Sequence, residues 1–402
     1  MTEVAAALIW DKERFLICRR PEGKTNGGLW EFPGGKAEPG ETLPQALIRE
    51  CREELGVTLA VGRQLAETTY PYPDRVIRLT LWEAVIAQGQ PQLLEHTGSQ
   101  WVAPAELPSA GAASEDSLRF FCPADRAFLD LLRREGKSPQ RRIQERLFSL
   151  RDLSYRDFHS KLMPTVPLEQ VIGVRVPTLR RYAKELSKTP EAALFLHCLP
   201  HFYYEENNLH GFLLEGMKDY SQAVAALERF LPHVDNWATC DMVSPRAFVL
   251  PAPKGKEPLP APGLLEQCGK WMASSHPYTV RFGMGMLMRY FLGEAFSPRQ
   301  LSMVIQTAWH WSRSFSGAPK DGFSRPELSS PSNCQGWGEY YVNMMAAWYF
   351  ATALAKQYEA ALPCFQQQLL PLWTHNKAIQ KALESNRIPS AQKLFLRRLK
   401  RP

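Results

Sequence analysis

The chain of 402 residues has no run approaching the ~20 apolar residues of a helical membrane span, so no membrane partner is expected. Its first ten residues, Met1–Trp10, lack a basic stretch ahead of the apolar one and read as a strand, so no secretory signal is expected. The eight cysteines include no C-x-x-C pair and follow no regular spacing, which argues against a disulfide framework and a zinc ribbon. A cytoplasmic chain with reduced thiols is the expectation. No clean repeat of fixed period is present either. What is present is ordinary: 45% hydrophobic and 22% charged residues, with 25 Gly and 32 Pro. At roughly 100–200 residues per domain, two or more cores are expected.

Net charge is negative in the first third and positive after it, because acidic residues thin out. Residues 1–140 carry 16 Lys and Arg against 20 Asp and Glu, whereas residues 141–402 carry 32 against 21. Such a split suggests two domains with different partners, the basic one facing a polyanion, although a solvated basic surface would look the same.

The local patterns divide at the same place. Val4–Trp10 and Phe15–Arg19 read as strands of a hairpin, Leu43–Leu55 as a helix, Arg75–Ala87 and Gln100–Val102 as further strands, and Asp125–Arg134 as a closing helix. A polar stretch follows, and the division expected is 1–136, a linker at 137–142, and 143–402. The second part reads as helices alone, with Pro177 and Pro190 as first-turn residues, and suggests helix pairs stacked as a solenoid. Residues 312–338, rich in Ser, Gly and Pro, read as a long loop inserted between helices.

The densest chemical signal is Gly35-x5-Glu41-x7-Arg49-Glu50-Cys51-x-Glu53-Glu54-x-Gly56-Val57. At roughly 100° per residue, Glu53 and Glu54 lie about −60° and about +40° around the helix from Glu50, while Ile48, Cys51 and Leu55 share the packing face. Three carboxylates on one arc repel unless cations sit among them; the competing reading is a solvated acidic face. Hard Mg²⁺, held by carboxylates and substrate phosphate oxygens, would activate water and neutralise charge on a pyrophosphate.

These residues resemble the Nudix box at every position, with Cys51 where a larger aliphatic residue is usual. The resemblance covers residues 1 to about 134 and implies an α/β/α sandwich and Mg²⁺, with Mn²⁺ as alternative. It implies Glu50, Glu53, Glu54 and the Gly34 carbonyl as metal ligands, Arg49 orienting a helix carboxylate, and Glu41 supporting the loop. Trp30-Glu31-Phe32-Pro33-Gly34-Gly35-Lys36 resembles the MutT branch, whose members hydrolyse oxidised deoxynucleoside triphosphates to monophosphate and pyrophosphate. That branch adds Glu95 on the metal side and Arg20, Phe32, Lys36, Tyr72 and Asp125 toward the nucleotide. Asp125 ends the Phe-Cys-Pro-Ala-Asp motif that would read the base edge; the alternative is a helix N-cap. Arg20 and Tyr72 are more often plain surface residues than ligand contacts.

In the second part, Trp237 and Asp241 stand at i, i+4, with Arg281 and Trp348 on later helices. Such a group can hold a cationic nucleobase, the carboxylate stabilising a glycosyl cation and the arginine a backbone phosphate. Buried tryptophans with a buried Asp–Arg pair are the competing reading. Five blocks, at 171–180, 201–206, 234–241, 340–348 and 376–381, resemble the AlkD-like DNA alkylation repair family. That resemblance implies HEAT-like repeats on duplex DNA, with Trp237, Asp241, Arg281 and Trp348 as the active-site group and Asp241 as the catalytic carboxylate. The expectation is a bifunctional protein: a Mg²⁺-dependent (8-oxo-)(d)NTP pyrophosphohydrolase joined to a DNA-binding alkylpurine glycosylase-like domain. The alternatives are a Nudix module that only senses a lesion, or a Nudix hydrolase of another nucleotide with a non-catalytic DNA-binding or scaffold helical domain.

Overall fold

The computed structural model describes residues 1–107, 120–252, 257–313 and 337–402. The chain divides into two compact units: Met1–Arg151 with Arg180–Pro200, and Asp152–Leu179 with His201–Pro402. The 312–338 insertion lies outside the described residues, apart from its first two and last two positions.

In the first unit, strands β1 (Thr2–Asp11), β2 (Arg14–Arg19), β3 (Trp30–Glu31), β4 (Gly34–Lys36), β5 (Thr58–Pro71), β6 (Val76–Gln88) and β7 (Gly98–Val102) form one mixed sheet. Its order is β3-β2-β1-β6-β5, with β4 also pairing β1 and β7 also pairing β2. β1 runs parallel to β6 and antiparallel to β2 and β4. Side chains alternate across the sheet. Ala5, Ala7 and Ile9 pack with Leu47, Cys51 and Leu55 of helix α1 (Leu43–Leu55). Ala6, Leu8 and Trp10 pack on the other face with Phe128, Leu129 and Leu132 of helix α2 (Arg126–Glu135). The period of two thus produces the α/β/α sandwich.

Sequence patterning misses β5. Register shifts between Thr58 and Leu59 and across Val61, Gln64 and Ala66 break the alternation that would mark a strand. The expected linker is also structured differently. Ser138 caps helix α3 (Pro139–Ser149), its Oγ accepting from Arg141 N at 3.1 Å, so residues 139–142 are the first turn of that helix. Arg142 then donates to both oxygens of the buried Glu83 (2.8 and 2.9 Å) and to Glu191 (2.7 Å). Glu191 opens a short helix, Pro190–Phe195, whose Leu194 enters the core with Leu8 and Leu81. Residues 143–151 and 180–200 therefore belong to the first unit rather than to the helical one. The sheet side needs an apolar cover, and this short helix supplies it.

The second unit is helical among its described residues, apart from one isolated bridge, Val249 to Pro260. The sequence pattern suggests a helix over Asn208–Lys218, and the helix runs Tyr204–Glu215, starting four residues earlier. Its polar start, Glu205 to Asn208, is buried, with Asn207 Oδ1 and Asn208 Nδ2 left without a hydrogen-bond partner. Glu205 accepts the backbone N–H groups of Ile172, Gly173 and Val174 at 2.6–3.1 Å. The Asn343 side chain accepts from Ser312 and Thr374 and donates to the Trp311 and Glu339 carbonyls, fixing residues 311–312 against the long helix Trp337–Lys356. That helix packs on Pro277–Tyr290 and on Leu372–Glu384. No helix among the described residues is long and apolar enough to cross a membrane, and the described cysteines are free thiols.

Candidate functional site

A cleft of about 360 Å³ opens in the first unit between the β4 loop, the carboxylate face of α1 and the start of α2. The backbone builds its floor. Gly34 sits at φ +144°, and a Cβ there would stand 2.2 Å from the Ala5 carbonyl oxygen. A Cβ on Gly35 would stand 2.4 Å from the Glu50 carboxyl carbon, so only glycine lets that carboxylate approach the loop. Helix α1 begins where the Thr42 N–H donates to the Gln45 side chain (2.9 Å) and ends at Gly56, φ 67°.

Arg49 organises the helix. It donates to both Glu41 oxygens (2.9 and 3.1 Å), to Glu50 (3.0 Å), to Glu53 (3.2 Å) and to the Lys36 carbonyl (3.0 Å). These bonds hold the Glu41 carboxyl below its ordinary pKa, the Arg49 contact contributing most. Glu50 and Glu54 line the cleft, whereas Glu53 is turned onto Arg49 with its side chain 57% exposed. Glu54 is the exception to the neutralisation. Its Oε2 is buried with no hydrogen-bond partner, and its pKa is pushed up to about 7 by burial. His96 opposes that rise, while Glu31, Glu50 and Glu95 add to it.

Among the described residues, no three His, Cys, Asp or Glu side chains converge tightly enough by themselves to hold a metal. The residues nevertheless fit a divalent cation. Oxygen donors from Glu50, Glu54 and the Gly34 carbonyl are hard ligands, and the unpartnered Glu54 oxygen is the group a cation would satisfy.

The other lining residues also sort by partner. Glu31, to which sequence reasoning assigned no role, is a hub: it accepts from Arg20 at 2.5 Å, faces His96 Nε2 at 3.1 Å and lies 3.9 Å from the Cys122 thiol. Glu95 pairs with Lys24, another unassigned residue. The Tyr72 hydroxyl accepts from Asn26 at 3.2 Å. Phe32 is 3% exposed, with its ring against Phe15 and Phe121, so only its backbone reaches the site. Its N–H donates to Asp125 Oδ1 at 3.0 Å. Asp125 is buried in the cleft wall, and burial, reinforced by Glu31, pushes its pKa up to about 8, against the pull of the Phe32 N–H. At neutral pH it is a carboxylic acid able to donate. It precedes α2 but makes no side-chain cap bond there, so the N-cap alternative does not hold. Lys36 lines the cleft and is exposed. Only a contact map could have exposed Lys24, Asn26 and His96, which come from loops far from the box.

In the second unit Asp241 and Arg281 meet. Arg281 Nε and Nη2 donate to the two Asp241 oxygens at 2.8 and 2.6 Å, and Nη1 donates to the Tyr341 carbonyl at 2.8 Å. Burial works against the Arg281 charge, yet Asp241 holds its pKa above the ordinary value. The arginine is 3% exposed. It is thus engaged inside the fold rather than presented to a phosphate. Trp237 packs beside Met163 and Tyr204 and donates its indole N–H to the Leu162 carbonyl at 3.2 Å. Trp348 is 44% exposed on its helix.

Residues 1–121 match the NUDIX domain family, and residues 143–307 match the DNA alkylation repair enzyme family. The chain is 42% identical over 133 residues to the CTP pyrophosphohydrolase of Escherichia coli K12, covering 31% of this chain and 98% of that protein. It is 39% identical over 97 residues to an 8-oxo-dGTP diphosphatase of Proteus vulgaris, covering 24% and 85%. It is 33% identical over 102 residues to an 8-oxo-dGTP diphosphatase of E. coli K12, covering 25% and 79%. With the complete carboxylate helix built into an α/β/α sandwich, the chain belongs to the Nudix hydrolases, and its helical part carries a DNA alkylation repair domain.

Proposed function

We propose that the Nudix unit hydrolyses a nucleoside triphosphate, ordinary or oxidised, to monophosphate and pyrophosphate in the cytoplasm with Mg²⁺ or Mn²⁺, and that the helical unit binds duplex DNA. The carrying observation is the buried, unpartnered Glu54 oxygen at the end of a complete Nudix helix. Glu50, Glu53, Glu54, the Gly34 carbonyl and Glu95 would hold the metal. Bound there, Mg²⁺ supplies charge neutralisation and an acidified water. Arg49 keeps the helix carboxylates oriented, and Arg20 and Lys24, now paired with Glu31 and Glu95, face the phosphates. Asp125 donates its proton to an acceptor on the base edge, with its other oxygen held by the Phe32 N–H. The relatives named for CTP and for 8-oxo-dGTP set the candidate substrates.

The test is pyrophosphate release by the full chain from a panel of normal and oxidised (d)NTPs. Glu53→Gln and Glu54→Gln should each lower kcat by at least ~10²-fold, or about 2.7 kcal/mol. Near-normal turnover in Glu53→Gln would restrict the ligand set to Glu50 and Glu54. No release from any triphosphate with either metal would overturn the reading.

For the helical unit, affinity for duplex DNA should fall with salt on a log–log slope of about −0.9 per phosphate neutralised. As a glycosylase, with Trp237, Asp241, Arg281 and Trp348 around the base, it should release N7-methylguanine or N3-methyladenine from methylated duplex. The closed Asp241–Arg281 pair favours a second reading, DNA binding without excision, because both carboxylate oxygens are already engaged. Binding with no base released would establish that reading, and no binding at ~50 mM salt would leave a scaffold.

A further inference from the structure

A cavity of about 780 Å³ lies in the second unit, away from the Asp241–Arg281 pair in sequence and lining. It is bounded by the end of helix Pro298–His310, the start of helix Leu372–Glu384 and residues 400–402. Two features make it more than a gap between helices. Its lining residues include Trp309 and Trp373, three cations, Lys377, Lys400 and Arg401, and Pro402, with no Asp or Glu side chain. Its parts are also held in place. The Trp309 indole N–H donates to the Leu369 carbonyl at 2.8 Å, which sets the plane of a ring that is 50% exposed. Asn376 donates to the Arg401 carbonyl and accepts its N–H, at 2.8 and 2.9 Å, while Arg401 Nη1 donates to the Leu370 carbonyl at 3.0 Å. The stretch that carries Lys400 and Arg401 is thereby fastened to the helix that carries Lys377.

Tryptophans beside lysines, with no acidic side chain in the lining, suit a ligand that is aromatic at one end and anionic at the other. The volume falls within the roughly 300–1,000 Å³ of small-molecule sites and exceeds what a simple anion needs. The Nudix cleft differs: it mixes Glu31, Glu50, Glu54 and Glu95 with its cations, whereas this pocket's lining has no acidic side chain.

We propose that this pocket binds a nucleotide, its base stacked on Trp309 and its phosphate against Lys377 and Lys400, either as a free nucleotide or as one unit of a single DNA strand. The site rests neither on the Nudix reaction nor on excision at Asp241, and both can fail without affecting it.

The experiment uses the full chain in EDTA with two probes, dAMP by calorimetric titration and a fluorescein-labelled (dT)8 by anisotropy, comparing wild type with Trp309→Leu and with Lys377→Gln/Lys400→Gln. Both changes are at accessible side chains, and thermal melts confirm folding. Each variant should lose about tenfold in affinity for the probe that binds, the scale of one base stack. If the strand is the ligand, the lysine pair should also flatten the salt slope by up to about 0.7 per phosphate contact removed. Loss confined to dAMP identifies a free nucleotide, and loss confined to (dT)8 identifies a strand. Triphosphate hydrolysis should be unchanged in both variants. No binding of either probe by the wild type, unchanged affinities in the variants, or a loss in only one of the two variants would each overturn the site, since it needs ring and cations together.

Discussion

Each unit holds an arginine paired with carboxylate, Arg49 with three side chains in the first and Arg281 with one in the second, and the two differ in what is left over. Arg49 is shared among Glu41, Glu50 and Glu53, and the nearby Glu54 keeps a buried oxygen with no partner. Arg281 meets one carboxylate with two parallel bonds and places its remaining donor on a backbone carbonyl, so nothing is left over. Buried charge unmet by the protein is stable only when something else meets it, whereas a closed bidentate pair stabilises itself. The first arrangement is prepared for a cation. The second is a joint of the fold until something opens it.

One expected effect breaks the closed pair. Asp241→Ala strands a buried guanidinium and should destabilise the helical unit by about 3–5 kcal/mol. Adding Arg281→Met should recover most of the loss, and a melt unaffected by Asp241→Ala would show that the pair is not structural. Leu194→Ala comes next, at about 2–5 kcal/mol, because it opens a cavity in the sandwich core. The measurement is the temperature at which half of the pyrophosphate release is lost. Unchanged inactivation would mean that the Pro190–Phe195 helix is not needed by the Nudix unit.

Glu54→Gln sharpens the other side of the comparison. Turnover should drop at least ~10²-fold, about 2.7 kcal/mol, while the metal-free melting temperature stays or rises, since an amide buries no charge. A fall in both would make Glu54 structural, like Asp241.

A further effect is in pH. The Asp125 pKa rises from 3.8 to about 8, so the folded state binds a proton that the unfolded chain has released. The sign follows directly: stability falls as pH rises between about 4 and about 8 and levels off above that. Asp125→Asn should flatten this part of the profile, measured by chemical denaturation at pH 5 and pH 8 in EDTA. An identical slope in the variant would remove the buried acid from the account.

Local chemistry made much of this legible. The hairpin of β1 and β2 and the helix Leu43–Leu55 are readable because apolar alternation, caps and Gly56 agree with one another there. Strand β5 was not readable because its bulges cancel the alternation, and the start of the Tyr204–Glu215 helix was hidden because its buried face is polar. In the site, spacing on one helix located Glu50, Glu53, Glu54 and Arg49. It could not show that Glu53 turns to Arg49 or that Phe32 buries its ring. Nor could it show that Glu31 joins Arg20, His96 and Cys122, since those partners arrive from separate strands and loops.

By itself, the sequence determined the two kinds of unit, the carboxylate helix and the glycines beneath it, because these depend on periodicity and on steric limits that neighbouring residues impose on each other. Only the tertiary structure decided which charges are satisfied. It placed Glu83 beside Arg142 and Glu191, moved residues 180–200 into the Nudix unit, closed Asp241 on Arg281 and left one Glu54 oxygen alone. The reason is physical. Whether a polar group has a partner depends on burial and on atoms 40 or 59 residues away in the chain, and no local pattern carries that distance.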